Sequence, residues 1–314
     1  MILDANTEYW NGKPKVDHLV FKEYPDPQAA VLALKRGEIH ILGDLSTQSI
    51  AAVRSDPNLE LLTQPGLAVS GVALPNEVAP FDDKRVRQAL NYAIDRDGLD
   101  KGLFQGLAAP MTSPLPEAQW GFDKSLKGYP YDPAKAQELL KQAGVQPGFK
   151  IELLTYNSAR GYNPVGPSLA VAVQGYLKKV GIDAEVRQME IGAYLSTVRS
   201  GSYKGMSLQG WTGDNGDPDN FVGELWGEKS IPVHNWAHYR SPALEKLLEQ
   251  GLAVTDVGKR TAIYAEAQKL IMDDAPWIFI NSTVQVRAIR KGVKGFRLNP
   301  LQMFFDMEQV SLEN

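Results

Sequence analysis

Between residues 149 and 210 the apolar pattern switches period from strand to helix and back twice over, and this rhythm limits the possible folds more than any other feature. Phe149, Ile151 and Leu153 alternate with Lys150 and Glu152, which predicts a half-buried strand. Leu169, Val173, Tyr176, Leu177 and Val180 recur at helical spacing until Gly181 stops them, and 182–186 returns to strand. Ile191, Tyr194, Leu195 and Val198 mark a second helix, and 206–210 alternates again. A strand–helix–strand–helix–strand run predicts a mixed or largely parallel sheet with covering helices.

The flanking segments keep the alternation. Tyr9-Trp10-Asn11-Gly12-Lys13-Pro14 reads as a polar, aromatic turn, and Val16, Leu19, Val20 and Phe21 as strand residues. Asp26-Pro27 caps a helix with Ala30, Val31 and Leu34 on its inner face and Gly37 at its end. Short strands are expected at 39–42 and 59–62, with a helix over 47–55 between them. A separate strand is expected within 66–78, then a helix over 83–94. The Pro/Gly-rich stretch 106–131 cannot hold long regular elements. Asp132-Pro133 starts a helix stopped at Gly144. Beyond residue 220 two helices are expected, 242–251 and 257–272, followed by strand at 277–280 and β structure through Val284, Val286, Val293 and Phe296.

The stretch Gly210-Trp211-Thr212-Gly213-Asp214-Asn215-Gly216-Asp217-Pro218-Asp219-Asn220 directly follows a strand, which places Trp211 and Asp214 at a strand tip where scaffolds present ligand groups. It is not an EF-hand loop. Counted from Asp214 the sixth and twelfth positions are Asp219 and Leu225, and counted from Asp217 the sixth is Val222, where calcium needs Gly and Glu. Asp217 and Asp219 also fit a tight turn bonding its own backbone.

A chain of 314 residues with 43% hydrophobic content is long enough for two lobes. The net charge of −4, with signs interspersed and no basic run carrying aromatics, argues against nucleic acid. Without cysteine there are no disulfides, thiolate nucleophiles or zinc–cysteine sites. No apolar run approaches the roughly 18 residues that span a bilayer. Met1-Ile2-Leu3-Asp4 turns polar at once, so a signal peptide is not expected, and the chain is either cytosolic or begins downstream of an export signal.

Asp83-Lys84-Arg85-Val86-Arg87-Gln88-Ala89-Leu90-Asn91-Tyr92-Ala93-Ile94-Asp95, Asp132-Pro133-Ala134-Lys135-Ala136 with Leu139-Leu140, the opening 9–14 turn and the 210–220 loop resemble the family 5 solute-binding proteins of peptide ABC importers, in particular the periplasmic dipeptide-binding proteins. The resemblance covers essentially the whole chain. It implies a two-lobed α/β periplasmic-binding-protein fold (type II, cluster C-like), with 1–66 and 281–314 as a partial lobe I, lacking its N-terminal part, and 67–280 as a complete lobe II. The crossings near 66–76 and 280–286 would form the hinge.

The resemblance also implies a site. The family's Trp-Thr-Gly-Asp aspartate, which takes a ligand ammonium, falls on Asp214, and its Arg-x-Tyr-Asn-Pro arginine, which takes the ligand carboxylate, falls on Arg160 of Arg160-Gly161-Tyr162-Asn163-Pro164. A guanidinium fork suits a carboxylate. Trp211, Gly210, Gly213 and Tyr162 are the further ligand-binding candidates, with backbone around Gly210 and Trp211 serving the peptide unit. An ordinary surface arginine at Arg160 and core packing at Trp211 are the lesser alternatives. The disulfide some dipeptide binders carry after this loop is absent, and His234 and His238 stand in that neighbourhood.

Their i, i+4 spacing hints at a metal pair, but Pro232, Asn235 and Pro242 disfavour a helix there, and no metal or cofactor is expected. The implied function is capture of dipeptides or small peptides for a membrane permease, without catalysis, by a periplasmic or envelope-associated protein that is a monomer if complete. A related solute (glutathione, a longer peptide, haem or a nickel complex) and a truncated, non-transporting fragment stay open. An α/β hydrolase is disfavoured, since the sequence holds no Gly-x-Ser-x-Gly, Walker A, Gly-x-Gly-x-x-Gly or His-Glu-x-x-His motif.

Overall fold

Most of the helices start where the sequence places a side-chain acceptor ahead of the first turn. In the computed structural model, which describes residues 1–43, 45–301 and 307–313, Asp26, Asp83, Asp132, Ser241 and Asp256 each accept a backbone N–H from the turn they precede, and Pro27, Pro133 and Pro242 occupy first-turn positions where no N–H is needed. In chain order the elements are β1 (Ile2–Asp4), β2 (His18–Val20), α1 (Pro27–Arg36), β3 (Ile41–Leu42), α2 (Ile50–Arg54), β4 (Leu59–Ala73), α3 (Lys84–Tyr92), α4 (Arg96–Leu99), β5 (Ala108–Pro110), α5 (Pro133–Gln142), β6 (Phe149–Tyr156), α6 (Gly166–Lys179), β7 (Ile182–Met189), α7 (Ile191–Arg199), β8 (Met206–Thr212), α8 (Asp219–Trp226), α9 (Pro242–Ala253), α10 (Val257–Asp274), β9 (Trp277–Arg290), β10 (Val293–Lys294) and β11 (Ser311–Leu312). They form two compact units, Met1–Pro65 with Val284–Asn314, and Gly66–Thr283.

In the larger unit the sheet runs β9–β4–β8–β6–β7, with β5 on β9. β6 pairs in parallel with β7, from Phe149↔Ile182 to Tyr156↔Met189, and with β8 at Leu153↔Met206; β8 and β4 are antiparallel. The sheet is therefore mixed. Buried side chains of α3, α5, α6 and α7 pack with Leu153, Leu208, Ile278 and Ile280 in one core. Trp277 and Phe279 alternate with those isoleucines and meet Trp226 of α8, with ring centroids 5.2 and 6.3 Å away. At the start of α4, the buried Arg96 donates to the carbonyls of Asn91, Ile94, Tyr129 and Phe279 and to Asn91 Oδ1. Its burial lowers the guanidinium pKa to about 10.

In the smaller unit β1 and β2 form an antiparallel ribbon. Ala30, Val31 and Leu34 of α1 pack with Leu42, Val53, Leu59 and Ala288. Arg290 donates to the carbonyls of Leu34 and Lys35, satisfying the open end of α1. The C-terminal segment expected over 281–314 includes residues 302–306 and 314, which lie outside the described residues.

Two expectations change. The strands expected at 59–62 and within 66–78 are one strand, β4, and those at 277–280 and from Val284 are one strand, β9. Pro65 lies before the pairing of β4 with β8, which starts at Ala68, so the missing N–H costs that ladder nothing. A helix also precedes the two expected after residue 220: α8 begins at Asp219, inside the stretch read as loop, and buries Phe221, Val222, Leu225 and Trp226.

Candidate functional site

Two loops leave the same edge of the larger unit's sheet. Since β6 and β8 are parallel neighbours, the chain exits both at their C-terminal ends, the place where open α/β sheets bind ligands. The loop after β6 carries Arg160 and Tyr162; the loop after β8 carries Gly213 and Asp214.

The first loop is held by its own backbone. Arg160 and Asn163 exchange N–H···O bonds of 3.1 and 2.9 Å, and the buried Asn163 side chain donates to the Tyr156 hydroxyl at 3.2 Å. This leaves the Arg160 side chain exposed, with its guanidinium carbon 5.7 Å from the Tyr162 ring centroid and no ion-pair partner among the described residues. Tyr162 meets Tyr156 edge to face at 6.3 Å, and Tyr156 meets Tyr194 at 5.2 Å. Burial pushes both the Tyr156 and Tyr194 hydroxyls well above their ordinary value, so they serve as neutral hydrogen-bonding groups.

In the second loop one atom does much of the positioning. Asn220 Oδ1 accepts from Trp211 Nε1 at 3.1 Å and from the Asp214 backbone N–H at 3.2 Å. The Asp214 carboxylate is exposed and has no ion-pair partner among the described residues. Gly213 is buried, its N–H bonds the Leu67 carbonyl at 2.7 Å, and an added Cβ would lie 2.8 Å from the Phe221 ring. At Gly210 an added Cβ would run into the Tyr162 ring and stand 2.6 Å from the Val69 carbonyl oxygen. Gly210 thus gives Tyr162 its seat.

Trp211 does not sit in the loop. β8 continues to Thr212, and Trp211 lies within it opposite Val69, half-buried. The alternation of an antiparallel ladder then assigns the backbone groups. Gly213 bonds Leu67, so residues 211 and 209 face β4, while 208, 210 and 212 face away; the Tyr194 hydroxyl accordingly donates to the Leu208 carbonyl. The backbone of Trp211, expected to serve a peptide unit, is committed to β4. Gly210 is buried under Tyr162, and Thr212 is the half-buried residue whose N–H and C=O point away from β4.

Asp217 and Asp219 serve the scaffold. Arg260 of α10 grips Asp217 bidentately at 2.6 and 2.9 Å, with its guanidinium carbon 5.2 Å from the Trp120 ring, and the Tyr264 hydroxyl donates to Asp219 at 3.1 Å. Partial burial works to raise the Asp217 carboxyl, but the hydrogen bonds from Arg260 and the Asp219 amide outweigh it and hold it below its ordinary value. Burial raises Asp219, with the Tyr264 hydrogen bond opposing.

His234 Nδ1 bonds Glu224 at 2.7 Å and His238 Nδ1 bonds Glu77 at 3.3 Å, so the two imidazoles turn to different carboxylates. The His234 ring lies 4.7 Å from that of Trp211. The sequence gave no site role to Asn220, Arg260, Tyr156 or Tyr194; an Asn beside three Asp residues was the only local signal, for Asn220.

No helix among the described residues is long and apolar enough to cross a membrane. Residues 1–232 match the model of the bacterial extracellular solute-binding proteins, family 5. The chain is 35% identical over 306 residues to the dipeptide-binding protein of Escherichia coli K12, covering 97% of this chain and 57% of that protein. It is 32% identical over 296 residues to the heme-binding protein A of Haemophilus influenzae, covering 94% and 54%. Among solved structures it superposes with a TM-score of 0.82 on the ABC transporter-associated periplasmic binding protein DppA from Helicobacter pylori in complex with the peptide STSA, at 33% identity, covering all of this chain and 60% of that one. The chain thus spans a little over half the length of the curated relatives it matches.

Proposed function

This chain belongs to the bacterial extracellular solute-binding proteins of family 5, and from that premise we propose that it is the substrate-binding component of an ABC importer, capturing dipeptides or other small peptides for a membrane permease. The relatives include proteins named for dipeptide and for heme, so the family alone leaves the ligand open. The observation favouring a peptide is the pair of exposed, unpaired side chains of opposite charge, Arg160 and Asp214, on loops that leave one sheet edge from adjacent parallel strands. A peptide zwitterion presents the complementary pair. In this reading Asp214 takes the ammonium, Arg160 the carboxylate, Trp211 and Tyr162 flank them, and the outward N–H and C=O of Thr212 serve the peptide bond.

The proposal includes a place and a motion. The protein works in the periplasm or at the cell envelope, has no catalytic step, and hinges at the two crossings Pro65/Gly66 and Thr283/Val284, with ligand contacts favouring the closed form. The larger unit then acts as lobe II and the smaller as part of lobe I.

Calorimetric titration tests the assignment with a free dipeptide, its N-acetyl derivative, its C-terminal amide and hemin. Saturation by the free dipeptide, loss of binding on acetylation, and the same loss in Asp214→Asn are expected. Equal affinity for the free and acetylated forms, or a preference for hemin, overturns it.

A further inference from the structure

Trp211 is held from three sides, and only two are explained by the strand and by Asn220. Its backbone is fixed in the ladder opposite Val69, and its indole N–H points to Asn220 Oδ1. The third side is the imidazole of His234, 4.7 Å from the indole with the planes inclined by 58°. That imidazole is itself oriented. A carboxylate only accepts, so His234 Nδ1 carries the proton of the 2.7 Å bond to Glu224, which fixes the ring's tautomer and its rotation. The backbone at His234 is anchored too, its carbonyl accepting from the side chain of the buried Gln209, two residues before Trp211 on β8. A continuous line of contacts therefore runs from Glu224 through His234, Trp211 and Asn220 to the Asp214 amide.

We infer that His234 is a positioning residue of the ligand site, its ring bracing the Trp211 indole so that Asn220, shared by Trp211 and Asp214, presents the Asp214 carboxylate in one place. The inference deepens the peptide reading and rests on Asp214 as the ammonium ligand. The ring plane is what the site uses, and the hydrogen bond to Glu224 aims it. A plane can be replaced by another plane, while a polar side chain without a ring leaves the indole unbraced.

The test has one arm that needs no ligand. The indole N–H resonance of Trp211, assigned by its loss in Trp211→Phe, is followed by proton–nitrogen NMR with its exchange rate. His234→Ala is expected to shift this resonance and speed its exchange, and to weaken binding of a free dipeptide about fivefold to tenfold, in line with the loss of one aromatic contact. His234→Phe should restore most of both, and His234→Gln neither. Glu224→Ala, a half-exposed position, should give part of the spectral change in a folded protein even where His234→Ala folds poorly. An indole signal unmoved in Glu224→Ala and His234→Ala overturns the inference, as does rescue by Gln equal to rescue by Phe. Failure of the underlying reading looks different: Asp214→Asn then leaves dipeptide affinity unchanged, while the indole signal still reports whether His234 braces Trp211.

Discussion

Adding one methyl group at Gly210 should disturb the site more than removing most side chains around it. In Gly210→Ala the new Cβ meets the Val69 carbonyl oxygen at 2.6 Å, a backbone atom in the paired strand that cannot swing away, and collides with the Tyr162 ring, which can. Overpacking of this kind costs about 1–3 kcal/mol. As Tyr162 yields, its edge-to-face contact with Tyr156 is lost, about 0.5–1.5 kcal/mol, and so is the Arg160 guanidinium over its ring, about 0.5–1 kcal/mol at an exposed site. A total near 3 kcal/mol corresponds to roughly 6–12 °C in melting temperature for a unit of this size. Arg160 should also lose its preferred placement, so that affinity for a free dipeptide falls with stability. Thermal unfolding of wild type, Gly210→Ala, Tyr162→Ala and the double variant forms a cycle. Removing the ring removes part of the collision, so the double variant should be less damaged than the two single losses combined by about 1 kcal/mol or more. If the losses add to within about 0.5 kcal/mol, the Tyr162 ring does not occupy the space over Gly210 and the reasoning fails.

Asp217→Asn should flatten the acid limb of the stability curve. With a folded pKa below its unfolded value of about 3.9, Asp217 contributes stability that is present above that value and lost as pH falls through the folded pKa, which urea midpoints between neutral and strongly acid pH will register. Asp219 has the opposite sign, because its raised pKa means that stability falls as pH rises through the window between the unfolded and folded values. Asp219→Asn, which keeps an acceptor for Tyr264, should therefore gain stability at neutral pH, and an equal loss at neutral and acid pH would refute this. Arg96→Met leaves the four carbonyls and Asn91 Oδ1 short of their donor, a loss of more than about 3 kcal/mol, and Arg96→Lys should not recover it because an ammonium lacks the planar fork. Asp26→Ala should cost about 1 kcal/mol at α1, visible as faster amide exchange in that helix while α6 is unchanged.

The sequence by itself determined what acts within a turn or along a strand. The period switches from 149 to 210 placed β6, α6, β7, α7 and β8, and their order required parallel neighbours, which brought the loops of Arg160 and Asp214 to one edge. Asp26-Pro27 and Asp132-Pro133 announced their helices because capping is local chemistry. Only the tertiary structure decided what depends on distant partners. Asp217 read as a turn residue and Asp214 as a ligand residue, but only the fold shows that Arg260, 43 residues away, claims the first while no described cation claims the second. The start of α8 at Asp219 was hidden by the run of turn-forming residues before it, and its burial against Trp277 and Phe279 outweighs that local signal. Gly210 read as the last residue of the strand before the loop, and only packing shows that its missing side chain makes room for Tyr162, 48 positions earlier in the chain. Periodicity reports which face of an element is apolar; which side chain from elsewhere meets that face is settled by packing, and that packing chose the free charges of this site.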